Sequence, residues 1–275
     1  MNVLLTGGTG KTGSRLTTQL RERGVEVRVA TRVPNSTAGG RRFDWNEDAT
    51  WDAALDGVAA AYLVPPPGMI DMSPLIEFAR LGQRRGCRRF VLLSASLLPV
   101  GGPGAGRVHA WLQANADDWT VLRPSWFMEN FSEGQHRPTI RDESRVYSAA
   151  EDGPVAFVAA HDIAAAACAA LCARDALNAD FILTGPAAIT YDEGADLLTN
   201  ALGRAITHVR SSVDELAARH RAGGLPALTA QILAGMDALI AGGAENRTTD
   251  CVERLTGAAP MSFETFCRAH ADAWA

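Results

Sequence analysis

The feature that most restricts the fold is a glycine series set directly behind a short apolar run, MNVLLTGGTGKTGS, with Gly7, Gly10 and Gly13 three residues apart. Residues 3–6 read as a strand and 11–23 as a helix stopped by Gly24. At a strand-to-helix turn, glycine permits a tight bend, lets a phosphate approach the backbone and allows the helix to pack closely on the strand. The overlapping Gly10-Lys11-Thr12 looks like the end of a triphosphate-binding loop. That loop requires another glycine five residues before Gly10, and the chain has Leu5 there, inside the strand. The turn is too short to wrap a triphosphate and fits the phosphate turn of a dinucleotide-binding fold.

The rhythm set by that turn continues. Residues 25–30, 42–44, 59–64, 90–94 and 119–122 read as further strands, with a helix over 74–85. Nearly continuous apolar strands joined by helices imply a parallel sheet covered on both faces. The expected fold is α/β, a Rossmann-like doubly wound sheet of order 3-2-1-4-5-6 with an extension, and a small, mostly helical C-terminal lobe. Past Pro124 the rhythm changes: 155–158 and 181–183 still read as strands, while the chain from 191 onward is helical with glycine and proline breaks. The expected division is 1–185 for the dinucleotide-binding part and 186–275 for a substrate lobe aided by 124–153, the whole forming one unit. The polar stretch 134–153 reads as a lid or an interface.

Composition narrows the function. At 275 residues the chain builds a sizeable core, and a net charge of −5 does not favour nucleic acid or an anionic membrane as partner. No apolar run is long enough to span a bilayer, and the start lacks the pattern of a secretory leader. Five cysteines lie scattered, so no metal site is expected; Cys168 and Cys172 read as packing residues of a helix. A cytoplasmic protein acting on a small molecule is expected, and a homodimer is left open.

The cofactor end can be read from the strand termini. Thr6, Gly7, Gly10, Lys11, Thr12 and Gly13 form the phosphate turn, and Lys11 is the only lysine of the chain. An NAD-preferring site carries an acid at the end of its second strand. Here the sequence is Ala30-Thr31-Arg32, and Glu26 comes too early. Arg32 suits a 2′-phosphate, with Thr31 as a hydroxyl donor, so the expected cofactor is NADP(H). Asp44 and Trp45 are expected beside the adenine, Val64, Pro65 and Pro66 along the middle of the cofactor, and Ser94 and Pro124 at its reactive end.

Seven pieces, in order along the chain, carry a family resemblance: LLTGGTGKTG, FDWNEDATW, YLVPPP, RRFVLLSAS, WTVLRPSWFMENF, AAHDIAAAA and LTGPAAITY. They resemble the atypical short-chain dehydrogenase/reductases of the NmrA-like type, and most of all the ergot-alkaloid reductases of the festuclavine/agroclavine dehydrogenase kind. The wider superfamily works with Ser and Tyr-x-x-x-Lys. This chain departs from that pattern, because none of Tyr62, Tyr147 and Tyr191 has a lysine four residues on. The superfamily's serine-to-tyrosine interval, carried from Ser96, lands on His109, and Gln113 stands in the lysine's place.

Three readings follow. Hydride addition to an iminium, which the resembled alkaloid reductases perform, needs no proton in the same step and tolerates the loss of Tyr and Lys. A ketone, enone or quinone reductase would use His109 as acid, imidazole having an ordinary pKa near 6.5. A non-catalytic redox sensor would only bind dinucleotide, as some NmrA-type proteins do. The first is taken as the expectation: an NADPH-dependent reductase of a cyclic imine or iminium in secondary metabolism, with His109, Ser96 and Ser94 as candidate catalytic residues. Ser125, Trp126, Phe127, Met128, Asn130 and Tyr191 are the candidate substrate contacts. Asp162 is expected to cap a helix beginning at Ile163.

Overall fold

The computed structural model describes residues 1–66 and 68–275. The first half of the chain runs β1 (Asn2–Thr6), α1 (Lys11–Glu22), β2 (Glu26–Thr31), β3 (Gly40–Arg42), α2 (Trp51–Leu55), β4 (Ala60–Leu63), α3 (Ser73–Arg84), β5 (Arg89–Leu93), α4 (Ala105–Asn115) and β6 (Asp118–Pro124). Then follow α5 (Glu129–Ser132), α6 (Arg137–Glu143), β7 (Arg145–Ser148), α7 (Ala160–Cys172), β8 (Ala179–Leu183), α8 (Tyr191–Leu202) and β9 (Thr207–Arg210). The chain ends with α9 (Val213–Ala222), α10 (Ala227–Ala241), α11 (Cys251–Thr256) and α12 (Phe263–Ala269).

Two compact units share these elements. The first comprises Met1–Pro124, Ala160–Leu183 and Arg254–Gly257; the second comprises Ser125–Ala159, Thr184–Glu253 and Ala258–Ala275. The chain therefore crosses between them at Pro124/Ser125, at Ala159/Ala160, at Leu183/Thr184 next to the Gly185-Pro186 pair, at Glu253/Arg254 and at Gly257/Ala258.

The first unit holds a seven-stranded parallel sheet of order β3-β2-β1-β4-β5-β6-β8, which is the expected order with β8 as its extension. Both faces of the central strands are covered, as their unbroken apolar sequences require. Leu4, Ala61, Leu63, Leu92 and Val121 pack under α2, α3 and α4 with Phe78 and Leu112, while the alternate residues Val3, Leu5, Tyr62, Val91 and Leu122 are fully buried too. α1 and α7 pack against each other.

Three local expectations are corrected. The third strand is Gly40–Arg42, not 42–44, because Asp44 already belongs to a turn: its carbonyl accepts from the Glu47 N–H and its carboxylate from the Asn46 N–H. Residues 155–158 form no continuous strand. Val155 exchanges two hydrogen bonds with Ile189, whereas Val158 donates to Trp126 and accepts from Met128, so each end finds a different partner and no ladder propagates. Helix α7 begins at Ala160, which puts Asp162 inside its first turn, where it complements the helix dipole, rather than at the cap.

In the second unit, β7 and β9 form a two-stranded parallel pair. Beside it lies a core that includes Phe131, Phe157, Tyr191, Phe263, Phe266 and Trp274. Helices α8 and α9 each open with a full capping box, Thr190 with Glu193 and Ser212 with Glu215.

The turn from β1 to α1 tolerates nothing larger than glycine at its third glycine. A Cβ on Gly13 would lie 2.3 Å from the Gly7 carbonyl oxygen and 2.6 Å from the Gly8 Cα. Gly13→Ala should therefore push α1 off the turn, lowering stability by about 1–3 kcal/mol, read as a fall in melting temperature. An unchanged melting temperature would mean that the turn yields.

Candidate functional site

The candidate dinucleotide site of the first unit is built from the C-terminal ends of its strands. Gly7 has φ of +70°, a conformation glycine adopts without strain, and the Gly10 N–H closes the turn on the Gly7 carbonyl at 2.9 Å. Gly10 is the N-cap of α1, no side chain caps the helix, and its first turn carries no acidic residue. Backbone N–H groups at such an end, together with the helix dipole, favour an anion. Lys11 occupies the first helical position.

Thr6 and Thr12 lie beneath this turn and are buried. The Thr6 hydroxyl donates to the Tyr62 carbonyl at 3.0 Å and accepts from the Val64 N–H at 2.8 Å, tying the end of β1 to the end of β4. The Tyr62 hydroxyl donates to the Thr12 hydroxyl at 3.4 Å, and burial raises the Tyr62 pKa far above its usual value. Both threonines thus brace the turn from below.

A cleft of about 870 Å³ opens beside the turn, lined in part by Gly7, Thr31, Arg32, Asp44, Trp45 and Pro66. Arg32 is exposed at the end of β2. Its carbonyl accepts from the Arg42 guanidinium at 2.8 Å, and Arg42 also grips Glu47 at 2.8 Å. The Thr31 hydroxyl accepts from the Val33 N–H at 3.2 Å. Trp45 is half-buried and meets Phe43 edge-on, with ring centres 4.8 Å apart. Val64 packs beneath Gly7, where a Cβ on the glycine would come within 3.1 Å, and Pro65 and Pro66 follow it half-buried.

Ser94 and Ser96 follow β5 and are joined to the end of β6 by backbone hydrogen bonds, Ser94 N–H to Leu122 O at 2.8 Å and Ser96 N–H to Pro124 O at 2.9 Å. The Ser94 hydroxyl is buried with no hydrogen-bond partner among the described residues. An uncapped glycine turn, a polar cleft at the strand ends and an orphaned serine hydroxyl together suit a dinucleotide: phosphates at Gly7–Gly13, a nucleoside in the cleft, and a polar group for Ser94 to meet.

His109 lies on α4, 3 % exposed, its ring 5.7 Å from that of Trp119. Trp119 pairs with Phe90, so it stands four strand positions, roughly 13 Å, before the level of Ser94. The His109 Nδ1 has no hydrogen-bond partner among the described residues, and burial lowers the pKa of the ring, with Asp180 opposing the shift and Arg123 adding to it. The imidazole is accordingly neutral near pH 7. Gln113, one turn on, is exposed.

The candidate substrate residues belong to the second unit. Ser125 is buried and its hydroxyl donates to the Ala156 carbonyl at 2.6 Å. Trp126, Phe127 and Asn130 are half-buried, and Met128 is buried. Tyr191 is buried among Phe131, Phe157 and His208, the last stacked on it at 5.6 Å. Sequence reading missed a cleft of about 520 Å³ in this unit, lined by Tyr147, Leu216, Arg219, His220 and Leu233 among others, of a size that takes a small organic molecule. It also missed a chain running from the interior to the surface, in which the Ser148 hydroxyl bonds His208 Nε2 at 2.8 Å and His208 Nδ1 bonds the half-exposed Asp192 at 3.2 Å. Ser148 is fully buried, so this trio joins β7, β9 and α8 and serves as a structural link, not as a nucleophile. Among the described residues no group of His, Cys, Asp or Glu is arranged to hold a metal, and no helix is long and apolar enough to cross a membrane.

A family described as NAD(P)H-binding matches residues 7–173, which contain the glycine turn and the chain from α1 through α7. The chain belongs to this family. Agroclavine dehydrogenase of Claviceps fusiformis is 41% identical over 285 residues, covering 100% of this chain and 99% of its own. YesF, an oxidoreductase of Bacillus subtilis without a characterised reaction, is 40% identical, covering 99% and 96%. Among solved structures, the NADPH-dependent quinone oxidoreductase QOR2 of Escherichia coli superposes with a TM-score of 0.82 at 22% identity, covering 97% of this chain and 98% of that one; at this identity the likeness bears on the fold. The protein is an NAD(P)H-dependent oxidoreductase with the fold of the atypical short-chain dehydrogenase/reductases.

The buried acid Asp237 offers a pH test of the second unit. It is 4 % exposed, accepts from the Ala149 N–H at 2.9 Å, and burial raises its pKa to about 6. An unfolded aspartate titrates near 3.9, so both states are protonated below about pH 4, and the unfolded state releases its proton first as pH rises. Stability from this group is therefore lost between about pH 4 and 6, by up to about 3 kcal/mol at neutrality. Asp237→Asn keeps the acceptor and removes the loss. Denaturant unfolding should show the variant's advantage growing from acid to neutral pH; a constant difference would refute it.

Proposed function

We propose that this oxidoreductase uses NADPH to reduce the C=N⁺ bond of a cyclic imine or iminium, a small and largely apolar molecule of secondary metabolism. The observation that carries the substrate class is the near-full-length 41% identity to an agroclavine dehydrogenase, in a chain with no Tyr-x-x-x-Lys pair. When bound, the reduced nicotinamide supplies hydride.

The chain's own residues do the rest. Gly7, Gly10 and Gly13 and the first turn of α1 hold the pyrophosphate through backbone N–H groups, with Lys11 and Thr12 completing the turn. Arg32 holds the 2′-phosphate, and its exposure at the end of β2, with Thr31 beside it and no acid there, supports NADPH over NADH. Asp44 and Trp45 border the adenine; Val64, Pro65 and Pro66 line the middle of the cofactor. Ser94, Ser96 and Pro124 face its reactive end, where the unpartnered Ser94 hydroxyl is available to orient a polar group. In the second unit, Trp126, Phe127 and Met128 are the apolar candidates for substrate contact, and Ser125, Asn130 and Tyr191 the polar ones.

An iminium already carries its positive charge, and accepting hydride turns it into a neutral amine without a proton from the enzyme. The neutral, buried imidazole of His109 agrees with such a reaction, since no acid is needed.

Two outcomes test the reading. Loss of NADPH absorbance should occur with cyclic iminium substrates, and His109→Ala should slow it less than about tenfold; a drop of about a hundredfold or more, with turnover of ketones or quinones, would mark His109 as a general acid and overturn the reading. Arg32→Asp should raise the KM for NADPH far more than that for NADH. Equal losses for the two cofactors would remove Arg32 from the 2′-phosphate.

A further inference from the structure

Three arginines stand at the ends of β2 and β3, and they differ in what they hold. Arg32 is exposed and lines the cleft beside the glycine turn, and its guanidinium has no hydrogen-bond or ion-pair partner among the described residues. Arg41 donates to the carbonyl of its own neighbour, Gly40, at 3.1 Å. Arg42 reaches further. One arm of its guanidinium donates to the Arg32 carbonyl at 2.8 Å, and the other meets both carboxylate oxygens of Glu47, at 3.1 and 2.8 Å. Among the described residues, Arg32 lines the cleft and Arg42 does not.

The Arg42–Glu47 pair is about half exposed, and such a pair adds little to the stability of a fold. Its place in the chain gives it another use. The β2–β3 ladder ends with Thr31 opposite Arg42, and the Phe43 N–H donates to the Thr31 carbonyl at 2.9 Å. Beyond Arg32, the Val33 N–H turns back to the Thr31 hydroxyl at 3.2 Å, and the Val33 carbonyl accepts from the Ser36 hydroxyl at 2.7 Å. Arg32 is thus the point at which the chain leaves the sheet. Its backbone is tied on both sides and through its own carbonyl, while its side chain is left for a ligand. Fixing the backbone in advance lowers the entropy that an anion would otherwise cost on binding.

We infer that Arg42 is a positioning residue for cofactor choice: by joining the Arg32 carbonyl to Glu47, it holds the Arg32 backbone where the guanidinium meets the 2′-phosphate of NADPH. This role depends on Arg32 holding that phosphate, as proposed above. Arg42 itself stays off the phosphate, with its charge matched by Glu47. Serving a carbonyl and a carboxylate at once takes the rigid fork of a guanidinium, which the point charge of a lysine does not supply.

Titration of NADPH and NADH into the full chain, followed by nicotinamide fluorescence, gives two dissociation constants for each variant and needs no substrate. Arg42→Met keeps the stem and loses the fork; it should weaken NADPH about three- to tenfold and NADH less than about twofold, at an unchanged melting temperature. Arg32→Ala should weaken NADPH by more than about tenfold. In that background Arg42→Met should add less than about twofold, because a residue that acts through Arg32 has nothing left to place. Arg42→Lys should behave as Arg42→Met does, and Arg41→Met, which removes a charge from the same edge, should leave both constants within about twofold.

No effect of Arg42→Met, or equal weakening of the two cofactors, overturns the inference. So does full recovery with Arg42→Lys or an undiminished loss without Arg32, either of which makes Arg42 a direct phosphate contact. A loss in Arg41→Met equal to that in Arg42→Met would reduce the effect to net charge and overturn it too. In all these cases the 2′-phosphate stays with Arg32 as long as Arg32→Ala abolishes the preference for NADPH. A preference that survives Arg32→Ala removes that assignment, and the role of Arg42 with it.

Discussion

The contact on which the first unit depends is the approach of α1 to the turn that precedes it. Gly13 sits so near the backbone of Gly7 and Gly8 that a methyl group has no place there. That closeness aims the first turn of α1 past the end of β1, and the Thr6 hydroxyl locks the same strand end to β4. No side chain caps the N-terminus of α1, an arrangement that favours an anion there. The contrast with α8 and α9 is physical: their ends are closed by reciprocal Thr–Glu and Ser–Glu pairs, whereas no side chain caps α1.

The second unit obtains its order differently. It has a two-stranded sheet, too small to stand alone, and relies on aromatic packing and buried polar links. Tyr191 lies at the meeting point of Phe131, Phe157 and His208, and His208 in turn joins Ser148 to Asp192. Arg204 bonds the carbonyls of Ile140 and Trp274, and the Trp274 indole donates to Phe131 O at 2.7 Å. Long-range links of this kind hold the centre of the unit fixed where its small sheet cannot.

The unevenness of the sequence reading has the same origin. The sheet was legible because strands buried on both faces must be almost wholly apolar, as in residues 3–6 and 90–94, and because a glycine turn is a local signal. The third strand was displaced by two residues because Arg41 and Arg42 are exposed at a sheet edge, so burial left no mark there. β7 and β9 escaped notice because four residues with mixed polarity, such as Arg145–Ser148, pair only through partners sixty residues away. The candidate cofactor residues are adjacent to strand ends and could be counted off. His109 could be counted too, but its packing against Trp119 and its lowered pKa come from tertiary neighbours that no interval reveals. The two capping boxes were in plain view as T-x-x-E and S-x-x-E.

The placement of Lys11 has a consequence for how this protein is studied. Twenty-five of the twenty-six basic side chains that lysine and arginine contribute are arginines, and the one lysine opens α1. Isotope-labelled reductive methylation, which keeps the charge of an amine, would therefore place a single side-chain dimethylammonium probe in this chain. Its resonance would report from the turn between β1 and α1 alone, without the overlap that a dozen surface lysines impose. Whether NADPH or NADH changes the surroundings of that turn would be read from that one line.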